Sequence, residues 1–430
     1  MTSSEPDAAA LPTPELVDRL FRAEAGRLVA SLTRRLGAAR LSLAEDVVQE
    51  ALVAALQQWP FAGIPRHPSA WLRRVAVNRA VDALRRARRF DRQATRIAGL
   101  LEDELRGNRR GVVRHSALAD DELRLVLLCC HPSLSRAARV ALSLKVACGF
   151  GVGEIAKALL SDERAVAQRL VRAKRDLRAL NVPFVPPSGR ELGARVDAAL
   201  DVVYLLFNEA YVAHGGDVLT RDDLSAEALR LAQLIADAPT VSSPRADALV
   251  SLIAFHAARR PARVDSQGEL VRLEHQDRST WDSALIALGF RSLERAMRGE
   301  VETSFHVQAA IAAAHAVARD AASTDWRAIL DLYDRLVDLE PTPVVRLNRI
   351  VALVKVEGPA AGLDALARLE RYRSLRRYYL RSALEGELLA QVGQHADARR
   401  AYEHALTCEC SEPERRFLES RLRQLKRRLS

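Results

Sequence analysis

Aromatic residues are scarce, at 5% of the chain, and so is the β-branched alternation with polar residues that marks a half-buried strand. Ala, Leu and Arg are abundant instead, and they favour helix. The expected fold class is therefore all-α. No apolar run is long enough to span a bilayer. The N-terminal MTSSEPDAAA is acidic and polar, with none of the basic and apolar regions of a signal peptide. These absences point to a cytoplasmic protein with no membrane partner. The five cysteines are Cys129, Cys130, Cys148, Cys408 and Cys410, and no two form a CxxC pair. An odd count without a framework implies reduced thiols. Cys129, Cys130 and His131 end an apolar helix, and no second ligand pair has the spacing of a zinc site. No metal or cofactor is expected.

The 430 residues exceed one core, so two to four domains are expected. A net charge of +10 favours polyanion partners, and the clustering of the basic residues matters more than their sum. Residues 14–90 read as a helical domain. A polar, basic linker follows over 91–115, then a second helical unit over 116–180. The prolines of NVPFVPPSG place a boundary and a hinge at 181–190. Residues 191–300 read as a helical extension. Residues 301–430 carry a repeat signal: VALVKVEGPAAGLDALARL and ELLAQVGQHADARRAYEHAL align on Gly358 and Gly393, 35 residues apart. That is close to the tetratricopeptide period, and Tyr402, Ala405 and Leu406 sit where such a repeat packs its second helix. Pro341, Pro343 and Pro413 are expected at helix ends.

WLRRVAVNRAVDALRRARR, residues 71–89, holds seven arginines and one acid, Asp82. At 100° per residue, Leu72, Ala76, Ala80 and Ala83 share a face, with Val77 and Leu84 beside it. Arg74, Asn78, Asp82, Arg85 and Arg89 fall opposite, and Trp71 falls with them. Ser69 is placed as the N-cap. A solvated surface face is one reading. The other is a nucleic-acid surface, since Arg neutralises phosphate, Asn bonds base edges and an exposed indole stacks on an unpaired base.

LSLAEDVVQEALVAALQQW, residues 41–59, offers Ser42 and Glu45 as a capping box. Val47, Val48, Ala51, Leu52 and Ala55 form its buried stripe. Asp46, Gln49, Glu50, Val53 and Gln57 share the other arc, fit for a basic partner helix or simply for water. GVGEIAKALLSDERAVAQRLVRAKRDLRAL, residues 151–180, reads as a helix-turn-helix. Ile155, Ala156 and Leu159 lie inside the first helix, and Val166, Leu170, Ala173 and Leu177 inside the second. Arg164, Gln168, Arg172 and Arg175 face outward. A helical hairpin without a nucleic-acid role is the alternative.

These motifs stand in an order that resembles the extracytoplasmic-function group of bacterial RNA polymerase sigma factors. AEDVVQEALVAAL and PSAWLRRVAVNRAVDALRRARR are similar to parts of their region 2, and EIAKALLSDERAVAQRLVRAKRDL to the helix-turn-helix of their region 4. YLLFNEAYVAHGGD (204–217), LEHQDRSTWD (273–282), QAAIAAAHA (308–316), TDWRAILDLYDRL (324–336) and VVRLNRIVAL (344–353) resemble the long extension of one subgroup, which ends in tetratricopeptide-like repeats. The resemblance implies that Asp46, Gln49, Glu50 and Val53 meet a coiled coil of the polymerase β′ subunit. It implies that Trp71, Arg74, Asn78, Arg85, Arg86 and Arg89 bind the −10 element, with a flipped-out base held near FAGIPRHP (61–68). It implies that Arg164, Gln168, Arg169, Arg172 and Arg175 read the −35 element. Core RNA polymerase (β′ coiled coil and β flap), promoter DNA and a soluble protein partner of the extension are the implied partners. The extension would act in cis. One departure is the linker GNRRGVVRH (107–115), basic where such linkers are commonly acidic.

Two rival readings remain. Glu274, His275, Asp277 and Asp282 could serve acid–base chemistry or a metal, but no nucleophile or cofactor loop accompanies them, and Ser279 with Asp282 fits a helix start. The protein is therefore not expected to be an enzyme. A helix-turn-helix repressor that needs no core polymerase is the alternative function. It gives the Trp71 helix and the Asp46 patch nothing to do.

Overall fold

The computed structural model describes residues 14–87, 96–102, 115–212 and 218–429, apart from residues 160, 186, 264 and 266–268. Among them the fold is all-α, as expected from sequence, with no strand and an isolated bridge between Tyr378 and Glu409. The chain divides into two compact units, the first ending at Leu205 and the second running from Leu206.

In the first unit, α1 (Pro14–Leu36), α2 (Leu41–Ala62) and α3 (Pro68–Ala87) form a bundle. Its core includes Leu28, Leu32 and Leu36 of α1, Val47, Val48 and Ala51 of α2, and Leu72, Ala76, Val77 and Leu84 of α3. These are the apolar stripes that the helical period predicts, though Leu52 and Ala83 are only half-buried. Two expected caps are absent. α2 opens at Leu41, so Ser42 lies inside the helix. α3 opens at Pro68, and the Trp71 amide bonds the His67 carbonyl, so Ser69 lies in the first turn. Proline is well placed there because its missing N–H would have no helical partner.

Residues 96–102 of the expected linker are helical, with Ala98 and Leu101 buried. Residues 103–114, with most of the basic GNRRGVVRH stretch, lie outside the described residues. Then come α4 (His115–Cys129), α5 (Arg136–Leu142), one π-helical turn (Ser143–Ala147), α6 (Val152–Ala158), α7 (Glu163–Ala179) and α8 (Gly189–Val212). Asp162 caps α7 by accepting from the Ala165 amide at 3.1 Å. The division between the two units falls within α8. Pro186, within the proline cluster, lies outside the described residues, as do residues 213–217 at the end of YLLFNEAYVAHGGD.

In the second unit, α9 (Val218–Ala236) precedes α10 (Pro244–Ala258), in which every residue from Ala246 to Phe255 is buried. A helix apolar nearly all round must be central, and α11 (Ser283–Ala296) lies so close to it that a Cβ on Gly289 would come within 2.7 Å of the Phe255 ring. The chain then forms α12 (Ser304–Val317), α13 (Trp326–Leu339), α14 (Pro343–Glu357), α15 (Pro359–Ala367), α16 (Tyr379–Gln391), α17 (His395–Thr407) and α18 (Glu412–Leu429). Pro343 and Pro413 stand in first turns and Pro341 between α13 and α14, at helix ends as expected. Gly358 (φ 90°) turns α14 into α15, and Gly393 (φ 84°) turns α16 into α17, so both aligned glycines hold a left-handed backbone that side chains resist. Tyr402 and Ala405 are buried, and Leu406 packs on the same cluster. A Cβ on Gly386 would approach the Tyr402 ring to 2.9 Å, so this hairpin closes on glycine.

Candidate nucleic-acid interface

On α2, the apolar stripe turns inward and leaves Asp46, Gln49, Glu50 and Val53 exposed together. Glu50 pairs with Arg79 of α3 at 3.4 Å, which ties this acidic patch to the basic helix beside it.

On α3, Arg74, Asn78, Arg85 and Arg86 are exposed. Arg85 is not wholly available for phosphate, because it pairs with Glu102 at 2.9 Å. Arg89 lies outside the described residues. Trp71 is half-buried, and its ring meets the edge of buried Trp59 at 5.6 Å between centroids. The sequence placed Trp71 in the polar arc but missed this support, because Trp59 is on another helix. Before α3, Phe61 is 92% exposed, and Ile64 is exposed as well.

On α7, Val166, Leu170, Ala173 and Leu177 are all buried, while Arg164, Gln168, Arg172 and Arg175 are exposed. Arg169 is half-buried, and Arg175 pairs with the neighbouring Asp176 at 3.3 Å. Ile155 and Ala156 of α6 are buried and Leu159 is half-buried, which completes a helix-turn-helix with a polar outer face.

The inner face of α7 holds what sequence reasoning missed. Lys174 donates to the Glu45 carboxylate of α2, and Lys145 of the π-turn lies 3.6 Å from the same group. Glu45 is 6% exposed, so the carboxylate is a buried anion neutralised by two cations. The signal was there: Glu45 sits within the apolar stripe, between Leu41 and Val48. In the same unit, Arg34 pairs with buried Asp121 at 3.0 Å and Arg27 with buried Glu122 at 3.7 Å. A Cβ on Gly26 would lie 2.0 Å from the Ala147 carbonyl oxygen, so α1 and the π-turn touch backbone to backbone. The α1–α3 bundle and the helix-turn-helix are thus packed together in this unit.

No group of three or more His, Cys, Asp or Glu among the described residues is placed to hold a metal. The Cys130 thiol is buried beside Ser143, and burial pushes its pKa up to about 12. Nor do the residues of LEHQDRSTWD converge as a catalytic set. Asp282 caps α11 through the Ala284 and Leu285 amides, and Asp277 caps a 3-10 turn through Ser279. Burial would raise the Glu274 carboxyl, but the Lys355 hydrogen bond and the Arg272 charge hold it below its ordinary value. His275 lies beside Glu274 at 3.7 Å. No helix of the described residues is long and apolar enough to cross a membrane.

Comparison with known families places these helices in two known regions. Residues 20–90 match the model of sigma-70 region 2, and residues 124–177 that of sigma-70, region 4. These two regions, in this order, indicate a sigma factor. Its role is in promoter recognition and transcription initiation, and core RNA polymerase and promoter DNA are its partners. α2 and α3 lie in region 2, and α7 lies in region 4. Residues 195–297 of its helical C-terminal extension match a family of unknown function (DUF6596). An uncharacterized protein of Rhizobium meliloti (strain 1021) is 37% identical over 395 residues, which cover 90% of each chain. No solved structure matches the sigma factor.

Proposed function

We propose that this sigma factor belongs to the extracytoplasmic-function group and divides its work among three helices. Asp46, Gln49, Glu50 and Val53 of α2 bind the β′ coiled coil of core polymerase, and region 4 meets the β flap. Trp71, Arg74, Asn78, Arg85, Arg86 and Arg89 hold the −10 element as it melts. Unstacking one base costs a few kcal/mol, and stacking on the indole together with arginine contacts offsets that. Trp59 props the indole from behind. Arg164, Gln168, Arg169, Arg172 and Arg175 read the −35 element in the major groove.

One observation carries this reading. α7 turns all four of its predicted apolar residues inward and Arg164, Gln168, Arg172 and Arg175 outward, in a chain whose region 2 also exposes an acidic patch on α2. The test is promoter affinity with and without purified core polymerase. Affinity for a −10/−35 duplex should rise at least 100-fold when core is present. Equal affinity in both cases favours a repressor that needs no polymerase.

The extension, read as residues 191–300 followed by tetratricopeptide-like repeats over 301–430, regulates the sigma regions in cis, with residues 181–190 as the hinge. Two helical hairpins that turn on Gly358 and Gly393 support the repeat reading. Ending the chain after Val212 tests the regulation. Transcription should fall at equal folded concentration, and unchanged transcription removes the cis role.

A further inference from the structure

Between α10 and α11 the described residues of the sigma factor form no α-helix. After a 3-10 turn at Arg260–Ala262 they run as a strap with two more such turns, Leu273–His275 and Arg278–Thr280. This strap meets every second helix of the extension in reverse order. Arg278 donates to the carbonyls of His315, on α12, and Ala318 at 2.8 and 2.5 Å, and to the Thr324 hydroxyl at 3.1 Å. Glu274 accepts from Lys355 of α14 at 2.6 Å. Arg272 pairs with Glu387 of α16 at 3.5 Å, and Glu269 with Arg416 of α18 at 3.0 Å. One extended segment thus contacts α12, α14, α16 and α18 in turn, as a peptide does when it lies along stacked helical hairpins.

The two ends of the strap are held differently. Gln276 and Trp281 are buried, and the guanidinium groups of Arg278 and Arg259 lie 5.3 and 5.9 Å from the Trp281 ring centroid. Residues 269–274 are half-buried and His275 is exposed. Their ion pairs are partly reached by water and weakened by salt, while the Val271 amide bonds the Arg263 carbonyl at 2.8 Å and the Val271 carbonyl accepts from Gln276 Nε2 at 3.1 Å. This is the less firmly held end, and its release breaks those two bonds while Trp281 stays anchored. The groove beneath it is mixed in sign: Lys355 and Arg416 are cationic, and Glu387 between them is held by Arg421 at 3.6 Å and the Tyr402 hydroxyl at 3.1 Å. A polyanion would meet Glu387, so the surface suits a peptide of alternating charge.

We propose that this groove is a peptide-binding site occupied in the free chain by residues 269–275. A partner protein enters it with an extended segment of the same charge order: an acid, a base three residues on, and an acid two further. The proposal goes beyond the promoter reading and does not depend on it, since its test needs neither DNA nor polymerase.

The probe is a fluorescent peptide, QGELVRLEHQD, titrated into full-length protein and followed by anisotropy. The wild-type chain should bind it weakly. A chain carrying Glu269→Ala, Arg272→Ala and Glu274→Ala should bind at least 10-fold more tightly, and less so as salt rises. A version of the peptide with Lys, Glu and Lys at the three charged positions should not bind. Equal binding to both chains, equal binding of both peptides, or no binding to a triple variant that keeps its thermal transition overturns the proposal. If the triple variant does not fold, hydrogen exchange on the wild-type chain decides. Added salt should speed exchange at residues 269–275 and leave α14 and α16 protected. A strap as protected as those helices at every salt concentration overturns it.

Discussion

Glu45, on α2 of region 2, accepts a hydrogen bond from Lys174, on α7 of region 4, across a separation of 129 residues in sequence. The Glu45, Lys145 and Lys174 side chains are 8%, 11% and 20% exposed. Removing one member of such a buried set strands charge that water cannot reach. Glu45→Gln should therefore destabilise the first unit by about 3 kcal/mol. A double-mutant cycle of Glu45→Gln with Lys174→Met, read by urea unfolding, should give a coupling above about 1 kcal/mol. Additive effects would mean that the contact does not hold the two regions together.

Trp71→Ala should leave closed-complex affinity nearly intact and impair strand opening, because stacking matters only once a base is unpaired. The half-buried indole also packs on Trp59, so a stability loss of about 1 kcal/mol should accompany it. Trp71→Phe should restore part of both. Permanganate reactivity of the −10 strand measures opening, and unchanged reactivity in the alanine variant would make Trp71 a packing residue only.

Arg172→Ala should weaken duplex binding and lower the slope of log affinity against log salt by about 1, the signature of one lost phosphate contact. Arg175, already paired with Asp176, should show a smaller change. A salt titration of the polymerase complex distinguishes them. A loss of affinity with an unchanged slope would assign Arg172 to a base edge.

Acid should weaken the extension. Burial, with Arg259 and Arg278 nearby, lowers the His315 pKa from 6.5 to about 4. Between those values the unfolded chain binds a proton that the folded chain does not, so stability falls as pH drops from 6.5 toward 4. The group contributes at most about 3 kcal/mol across that window. His315→Phe should flatten the decline seen by thermal unfolding at pH 7 and pH 5. An equally steep decline would place its origin in other groups, such as His256, which burial also holds well below its ordinary value.

Local periodicity carried much of the fold into view. Val166, Leu170, Ala173 and Leu177 were legible because spacing alone sets a helix face, and Gly358 and Gly393 because only glycine readily takes the backbone those turns need. Glu45 was misread for the opposite reason. Its spacing from Ser42 satisfies a local capping pattern, while its real partners lie a hundred or more residues away. The strap at 269–278 was hidden in the same way: Glu274, His275 and Asp277 looked like part of an acid–base cluster, and the partners of Glu274, Arg272 and Glu269, which are Lys355, Glu387 and Arg416, are all distant in sequence.

In the proposed function, α2, α3 and α7 act together on polymerase and promoter. Run-off transcription with purified core polymerase on a linear −10/−35 template tests it most directly. Transcript should require this protein, should fall at least 10-fold with Glu50→Arg in the α2 patch, and should fall comparably with Arg172→Ala. Transcript without this protein, or undiminished transcript from both variants, would contradict it.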